Sequence, residues 1–256
     1  MAQIELTKDN TYKGNLILVT PELPLMQFSN ANTMIPALEK QPEVRIAKEA
    51  AHSLRLLLSD IHCDSQIIAV SGFRTQQEQE EIWNDSIMEN GLKFTQKFVA
   101  VPGHSEHQTG LAIDLAEEKE NIDFICPNFP YTGIFQDFRK MAPHFGFIER
   151  YLSDKESITG IGAEPWHFRY VGYPHSIIMA EQNMVLEEYI HFLKESTDFW
   201  HPYTYHTMEK NIEISYISLD ANNPVTLDVP DNSSYCISGT NEGGMIFSLW
   251  RKHNEY

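Results

Sequence analysis

From Lys210 onward the chain carries only short strand-type runs, whereas everything before it mixes helical and strand patterning. The runs IEISYISL, PVTLDV, SYCIS and MIFSLW are rich in β-branched and aromatic residues and are separated by Gly, Pro, Asn and Asp. That is the punctuation of small antiparallel hairpins. Upstream, Val44, Ala47, Ala51, Leu54 and Leu58 recur at steps of three and four, which predicts an amphipathic helix from about Glu43 to Ser59. QIIAVS at 66–71 reads as a buried strand, and Gly72 lets the chain turn. Thr75 with Glu78 then spells a capping box for a helix reaching Asn90. LAIDL at 111–115 and WHFRYVG at 166–172 read as strands, Ile134 to Phe145 as a short helix, and 175–182 with 184–195 as a helical pair. Residues 1–40, broken by Pro21, Pro24 and Pro36, read as an extended arm with one short strand at 17–19. Residues 91–110 lack periodicity and read as a loop around the Pro102-Gly103 turn. The expected fold class is α+β. A small central antiparallel sheet flanked by helices occupies 1–195, with the N-terminal arm, and a C-terminal β-rich appendage occupies 196–256.

A chain of 256 residues is long enough for one domain with a substantial core and an appendage. Its 42% hydrophobic and 21% charged residues are ordinary globular values, which argues against long disorder. The net charge of −17 argues against a nucleic-acid partner and against attraction to an anionic membrane surface. An anionic substrate would need a local positive centre, and a bound dication is one. Cys63, Cys126 and Cys236 form no CxxC pattern and read as reduced thiols. The N-terminus lacks a basic stretch followed by an apolar one, and no apolar run approaches a membrane span. No membrane insertion and a cytoplasmic location are expected.

Eleven histidines make any single one uninformative, but two local groupings stand out. HSEHQTGLAID at 104–114 offers His104, Glu106, His107 and Asp114, and EPWHFRY at 164–170 offers Glu164 and His167. A catalytic zinc takes three protein ligands and keeps a fourth position open. There is no HExxH, and Pro165 forbids a helix interior between Glu164 and His167, so strands and loops would have to build any site. A turn at Thr109-Gly110 would be needed to bring His107 and Asp114 to one side. Spacing alone leaves open a blander reading, with surface histidines and a strand-end aspartate satisfied by backbone donors.

SGFRT at 71–75, SEHQTGLAID at 105–114 and EPWHFRYVG at 164–172 resemble, in that order, the SGxR, SxHxxGxAxD and ExxH signatures of the zinc D-Ala-D-Ala peptidases. That group holds the VanX and VanY enzymes of vancomycin resistance, peptidoglycan-trimming carboxypeptidases and some phage endolysins, and shares its fold with the hedgehog signalling domain. The texture of 40–195 is most similar to the bifunctional VanXY type. The resemblance implies one zinc per chain held by His107, Asp114 and His167, with Glu164 as general base. It gives Arg74 the polarisation of the scissile carbonyl, Ser105 a hold on the substrate's terminal carboxylate, and Gln79 a further substrate contact. The implied partners are the D-Ala-D-Ala dipeptide and D-Ala-terminated peptidoglycan precursors.

Each residue has a plainer alternative. His104 falls outside the matched pattern and is expected to shape its loop. Glu106 reads as a solvated carboxylate or as support behind a ligand, Trp166 as a packing aromatic, and Cys126 as a small buried hydrophobe. Arg74 could merely cap a buried carboxylate. Two other functions stay open. One is an endolysin-type endopeptidase, for which no wall-binding segment is recognisable and −17 is a poor charge. The other is a non-catalytic zinc-containing binding domain, which would need neither Glu164 nor Arg74. Loops 91–104 and 116–133 are expected to set the ratio of dipeptide to pentapeptide cleavage.

Overall fold

The computed structural model describes residues 2–63, 65–219, 224–231 and 233–252. The chain gathers into two compact units, Val19–Val185 and a second made of Met1–Leu18 with Leu186–Tyr256. The opening strand β1 (Ala2–Leu6) belongs to the second.

In the larger unit a hairpin of β2 (Ile35–Leu38) and β3 (Gln41–Ile46) leads into helix α1 (Lys48–Asp60). The expected helix therefore starts five residues late (48 against 43), because QPEVRI pairs back on IPAL with Ile46 opposite Ile35. Val44 still packs against the core, but from a strand, and that is why it mimicked helical spacing. Ala50, Ala51, Leu54, Leu57 and Leu58 of α1 are buried, as its periodicity requires.

The central sheet is antiparallel, in the order β4 (Ile67–Ser71), β5 (Ala112–Glu117), β7 (Glu164–Tyr170), β6 (Phe147–Tyr151). Strand alternation turns Ile113, Leu115 and Phe168 toward the α1 leucines and leaves Asp114 and His167 for the opposite face. The dry side is completed by Phe129 and by Phe135 and Phe138 of α4 (Gly133–Met141). With Phe168 these rings meet edge to face at 4.9–5.5 Å. Such pairs each contribute about 0.5–1.5 kcal/mol beyond area burial.

Helix α2 (Gln76–Asn90) opens with the expected capping box: Thr75 N donates to Glu78 Oε2 at 2.7 Å, and Glu78 N donates to Thr75 Oγ1 at 3.2 Å. A short α3 (Leu92–Phe98) occupies part of the expected 91–110 loop, set off from α2 by Gly91 at φ 81°. One-turn α5 (Glu156–Thr159) and α6 (His175–Gln182) complete the unit. No described helix is long and apolar enough to cross a membrane.

The second unit holds α7 (Leu186–Ser196) and a sheet in the order β11 (Ser234–Gly239), β12 (Gly244–Lys252), β9 (Lys210–Ser218), β8 (Tyr203–His206). Its remaining strand, β10 (Val225–Val229), pairs with β1, Ala2 lying opposite Val229. Leu6, Leu227, Val229, Met245, Phe247 and Leu249 form its own core. The strands after Lys210 match the expected runs. The arm does not stand free: its first residues are a strand whose partner lies more than two hundred positions away (Ala2 against Val229), beyond the reach of local patterning. Residues 17–19 are not a strand; Leu18 N instead donates to the Thr240 carbonyl at 3.1 Å. The compact units thus divide near 185 and return residues 1–18 to the C-terminal strands, in place of a single break at 195. The fold class is α+β with small antiparallel sheets and C-terminal strands, as read.

Candidate active site

The strand register places Ser71 opposite Asp114, and Asp114 opposite His167, in one row across β4, β5 and β7. A register shift between Ala69 and Ser71 bends the end of β4, as bulges beside sites do. Gly72 follows, where a Cβ would run into the Arg45 carbonyl, so only glycine lets the chain pass. Arg74 then folds back over the row. Its Nε donates to Ser71 Oγ at 3.0 Å, Nη2 to Asp114 Oδ2 at 3.3 Å and Nη1 to Gln79 Oε1 at 3.3 Å. Gln79 is fully buried and passes the tether on, its Nε2 donating to the Ala100 carbonyl at 2.8 Å. Gln79 is not on the cavity wall; it fixes Arg74 and the start of the following loop.

His107 sits in a single 3-10 turn, Glu106–Thr109, closed by Gly110 at φ 74° and ψ 6°. That left-handed residue supplies the reversal that strand alternation lacks, and a Cβ there would also strike the Met34 thioether. His107 Nδ1 donates to the Gly72 carbonyl at 2.7 Å, which leaves Nε2 facing Asp114 Oδ2 at 3.1 Å. Burial, then the Arg74 charge, hold the His107 ring below its ordinary pKa, with Asp114 opposing them. In its neutral form, with the proton on Nδ1, the ring turns a lone pair toward that carboxylate. Two acceptors in contact want a cation between them, and this is the observation that the donor set fits a metal.

His167 closes the trio. Its Nδ1 lies 2.9 Å from Asp114 Oδ1 and 3.7 Å from Glu164 Oε2, and its Nε2 faces Glu106 Oε2 at 3.5 Å. Burial opposes its charge, but the hydrogen bond to Asp114 and the nearby carboxylates of Glu106 and Glu164 push it up to about 9. Burial likewise opposes ionised Asp114, while His107 and His167 hold it well below the usual carboxylate range. His107, Asp114 and His167 bring one ligand atom each to within 4.8 Å of one another, all buried. Glu164, at the entrance of β7, is pushed up to about 8 by burial, with the charges of His167 and Arg74 opposing. Arg139 pins that entrance, donating through Nη2 to the Pro165 carbonyl at 2.7 Å and the Phe129 carbonyl at 2.8 Å.

These groups open onto one cavity of about 380 Å³, which Ser105 also lines. His104 lies apart from the trio, its Nδ1 donating to the Thr20 carbonyl at 2.8 Å, so it shapes a loop as expected. Trp166 packs in the core and Cys126 is half-buried against it. Glu106 is not a solvated carboxylate. It is enclosed with Arg150 and Arg169, a cluster that the sequence reading missed. Both arginines lie on the strands β6 and β7, and only three-dimensional pairing reveals their common target. The reading also missed one side of α2, whose Ile82, Asp85, Ser86 and Glu89 recur at helical spacing along the cavity.

A buried His-Asp-His trio, a carboxyl group with a raised pKa and a tethered arginine around one cavity define the site of a metallohydrolase. Residues 43–173 match the family model VanY: D-alanyl-D-alanine carboxypeptidase. The chain is 41% identical over 184 residues to the bifunctional D-Ala-D-Ala dipeptidase and D-Ala-D-Ala carboxypeptidase VanXYC of Enterococcus gallinarum, covering 72% of this chain and 97% of that one. It is similar to the crystal structure of the vancomycin resistance D,D-dipeptidase VanXYg in complex with a D-Ala-D-Ala phosphinate analog. The TM-score is 0.94 at 45% identity, over 98% of this chain and 99% of that one. A mutant of the D,D-pentapeptidase VanY from the VanB-type resistance cassette, in complex with Zn(II), matches at TM-score 0.55 and 31% identity, over 69% and 98%. The chain belongs to the VanY D-alanyl-D-alanine carboxypeptidase family, and with it to the VanX/VanY peptidases that the three signatures resemble.

Proposed function

We propose that this chain is a zinc-dependent D,D-peptidase. It hydrolyses the D-Ala-D-Ala dipeptide, removes the last D-Ala from cytoplasmic peptidoglycan precursors, and holds one zinc per chain. The observation that carries the reading is the convergence of His107 Nε2, an Asp114 oxygen and His167 Nδ1 beside Glu164 and Arg74 in one cavity. Relatives named for D-Ala-D-Ala cleavage support it over a wall endopeptidase or a silent binding domain.

Zinc bound by the trio would polarise the scissile carbonyl and make a water nucleophilic near neutral pH. Glu164 supplies the proton traffic: its carboxylate accepts a proton from the attacking water and returns it to the departing D-alanine amine. A carboxyl group in a dry pocket can serve in both directions. Arg74 is always charged and is held by Ser71 and Gln79, so it meets the developing oxyanion without rearranging. Ser105 offers a hydroxyl to the substrate's terminal carboxylate. Arg74 and the dication together give an anionic substrate a local attraction that the −17 net charge denies it elsewhere.

The test is release of D-alanine from D-Ala-D-Ala and from a pentapeptide ending in D-Ala-D-Ala, with and without a chelator. Both substrates should be cut, chelation should stop both, and zinc should restore both. Undiminished release after chelation would remove the metal from the reading, and no release from either substrate would remove the peptidase.

A further inference from the structure

One buried charged cluster takes no part in the proton and carbonyl chemistry of the site. Glu106, Arg150 and Arg169 are all enclosed, with side chains 0%, 1% and 0% exposed. Arg150 Nε donates to Glu106 Oε1 at 2.9 Å, and Arg169 Nη1 donates to the same oxygen at 2.7 Å. Two charge-assisted bonds on one oxygen fix the rotation of the carboxylate and aim its other oxygen. Oε2 makes no hydrogen bond and lies 3.5 Å from His167 Nε2, which makes none either. A buried donor and a buried acceptor thus face each other, each lacking any other partner. A shift of roughly half an ångström would bring them to hydrogen-bond length.

The other side of the ring decides which way this pair works. His167 Nδ1 faces Asp114 at 2.9 Å, on the side where the ligand atoms converge. A histidine that ligates through Nδ1 must carry its proton on Nε2, and a buried Nε2–H needs an acceptor. The only carboxylate oxygen placed there among the described residues is Glu106 Oε2. Chain connectivity adds stiffness. Glu106 adjoins the ligand His107 in the same turn, and Arg169 follows the ligand His167 by two residues along β7. Glu106 and Arg169 are thus each anchored on an element that also carries a ligand.

We infer that Glu106 is a positioning residue: clamped by Arg150 and Arg169, it accepts the Nε2 proton of His167 and so presents Nδ1, unprotonated and correctly turned, to the metal. This rests on the metal-site reading of His107, Asp114 and His167, and not on the identity of the peptide substrate. The clamp acts through His167.

The test reads metal and ring, not turnover. Zinc affinity is measured by competition with a chromophoric chelator in the wild type and in Glu106→Gln. It is also measured in a triple variant, Glu106→Leu with Arg150→Met and Arg169→Leu, where an apolar cluster of similar bulk keeps the fold should Gln leave the arginines poorly paired. The dissociation constant should rise roughly 10–100-fold in each folded variant, the usual cost of losing a carboxylate behind a metal-bound histidine. In zinc-loaded protein labelled with ¹⁵N-histidine, the wild type should show a slowly exchanging proton on Nε2 of His167, assigned by its absence in His167→Gln. That proton should exchange faster in both Glu106 variants, a change that simple loss of core packing elsewhere would not produce. Wild-type affinity in the folded variants overturns the inference, and so does a wild-type spectrum with the proton absent from Nε2. A chain that binds no zinc fails the metal reading and this inference together. One that binds zinc as described but cuts no D-Ala peptide fails only the proposed activity.

Discussion

His107 and His104 are three positions apart, and the structure separates them by what each nitrogen can still do. His104 spends Nδ1 on the Thr20 carbonyl and lies away from the trio, while His107 keeps Nε2 on Asp114. His107→Ala and His167→Ala should therefore each purify without bound metal, and His104→Ala should keep a full complement by elemental analysis. Loss of zinc in the His104 variant with retention in the other two would reverse the assignment. Glu164 is not among the three residues whose ligand atoms converge, so Glu164→Ala should keep zinc while its rate falls at least about a hundredfold, the lower range for a general base. Arg74→Lys should lose roughly 10²–10³ in kcat, since an ammonium cannot hold Ser71, Gln79 and an oxyanion at once. At this scale the convergence of His107, Asp114, His167, Glu164 and Arg74 on one cavity was legible because their spacing follows a resemblance. Glu106 was legible only as one of two alternatives, because nothing in HSEHQ distinguishes a carboxylate facing water from one facing two arginines on distant strands.

Periodicity exposed the elements that bury one clean face, such as α1 and β5, and the capping box announced α2 to the residue. It failed where short elements interrupt themselves. FIERY in β6 carries Glu149 and Arg150 inside the strand, and α3 is barely two turns behind a glycine. The turn at Glu106–Thr109 was foreseen as a necessity, and Gly110 shows its physical basis. Gly110→Ala should cost on the order of 1–2 kcal/mol for a side chain held in the left-handed region, before any clash with Met34 is counted. Denaturant unfolding would read the loss, and zinc affinity should weaken with it because His107 is carried on that turn. A pH effect belongs to α6. His175, its first residue, is buried and its pKa is pushed down to about 3 from the ordinary 6.5. The unfolded chain then binds a proton that the folded one refuses. Stability from this group is complete above about pH 6.5 and is lost as pH falls toward 3. His175→Asn should flatten the fall in melting temperature between pH 6.5 and 4 relative to wild type, and parallel curves would show that His175 does not titrate as described.

At the scale of the molecule, the sequence announced a β-rich C-terminal part but not that the first eighteen residues belong to it. A strand such as AQIEL reads as nothing in particular until its partner VTLDV is found at the far end of the chain. The second unit has a core of its own and contributes none of the assigned ligands, base or arginine. The E. gallinarum relative is matched over 97% of its length by 72% of this chain, so about a quarter of this chain lies outside that match. We propose that the second unit serves packing or self-association and not the bond-breaking step. Residues 19–185 produced alone should bind zinc and cleave the D-Ala-D-Ala dipeptide at a rate comparable to the full chain. What should change is oligomeric mass by light scattering, or melting temperature. Truncation beginning at Val19 matters as much as ending at Val185, because a chain cut only at its C-terminal side keeps β1 without β10 and exposes an unpaired strand edge. If the folded, zinc-loaded piece cleaves the dipeptide but fails on the pentapeptide, self-association is the wrong role and the second unit governs which substrate is accepted.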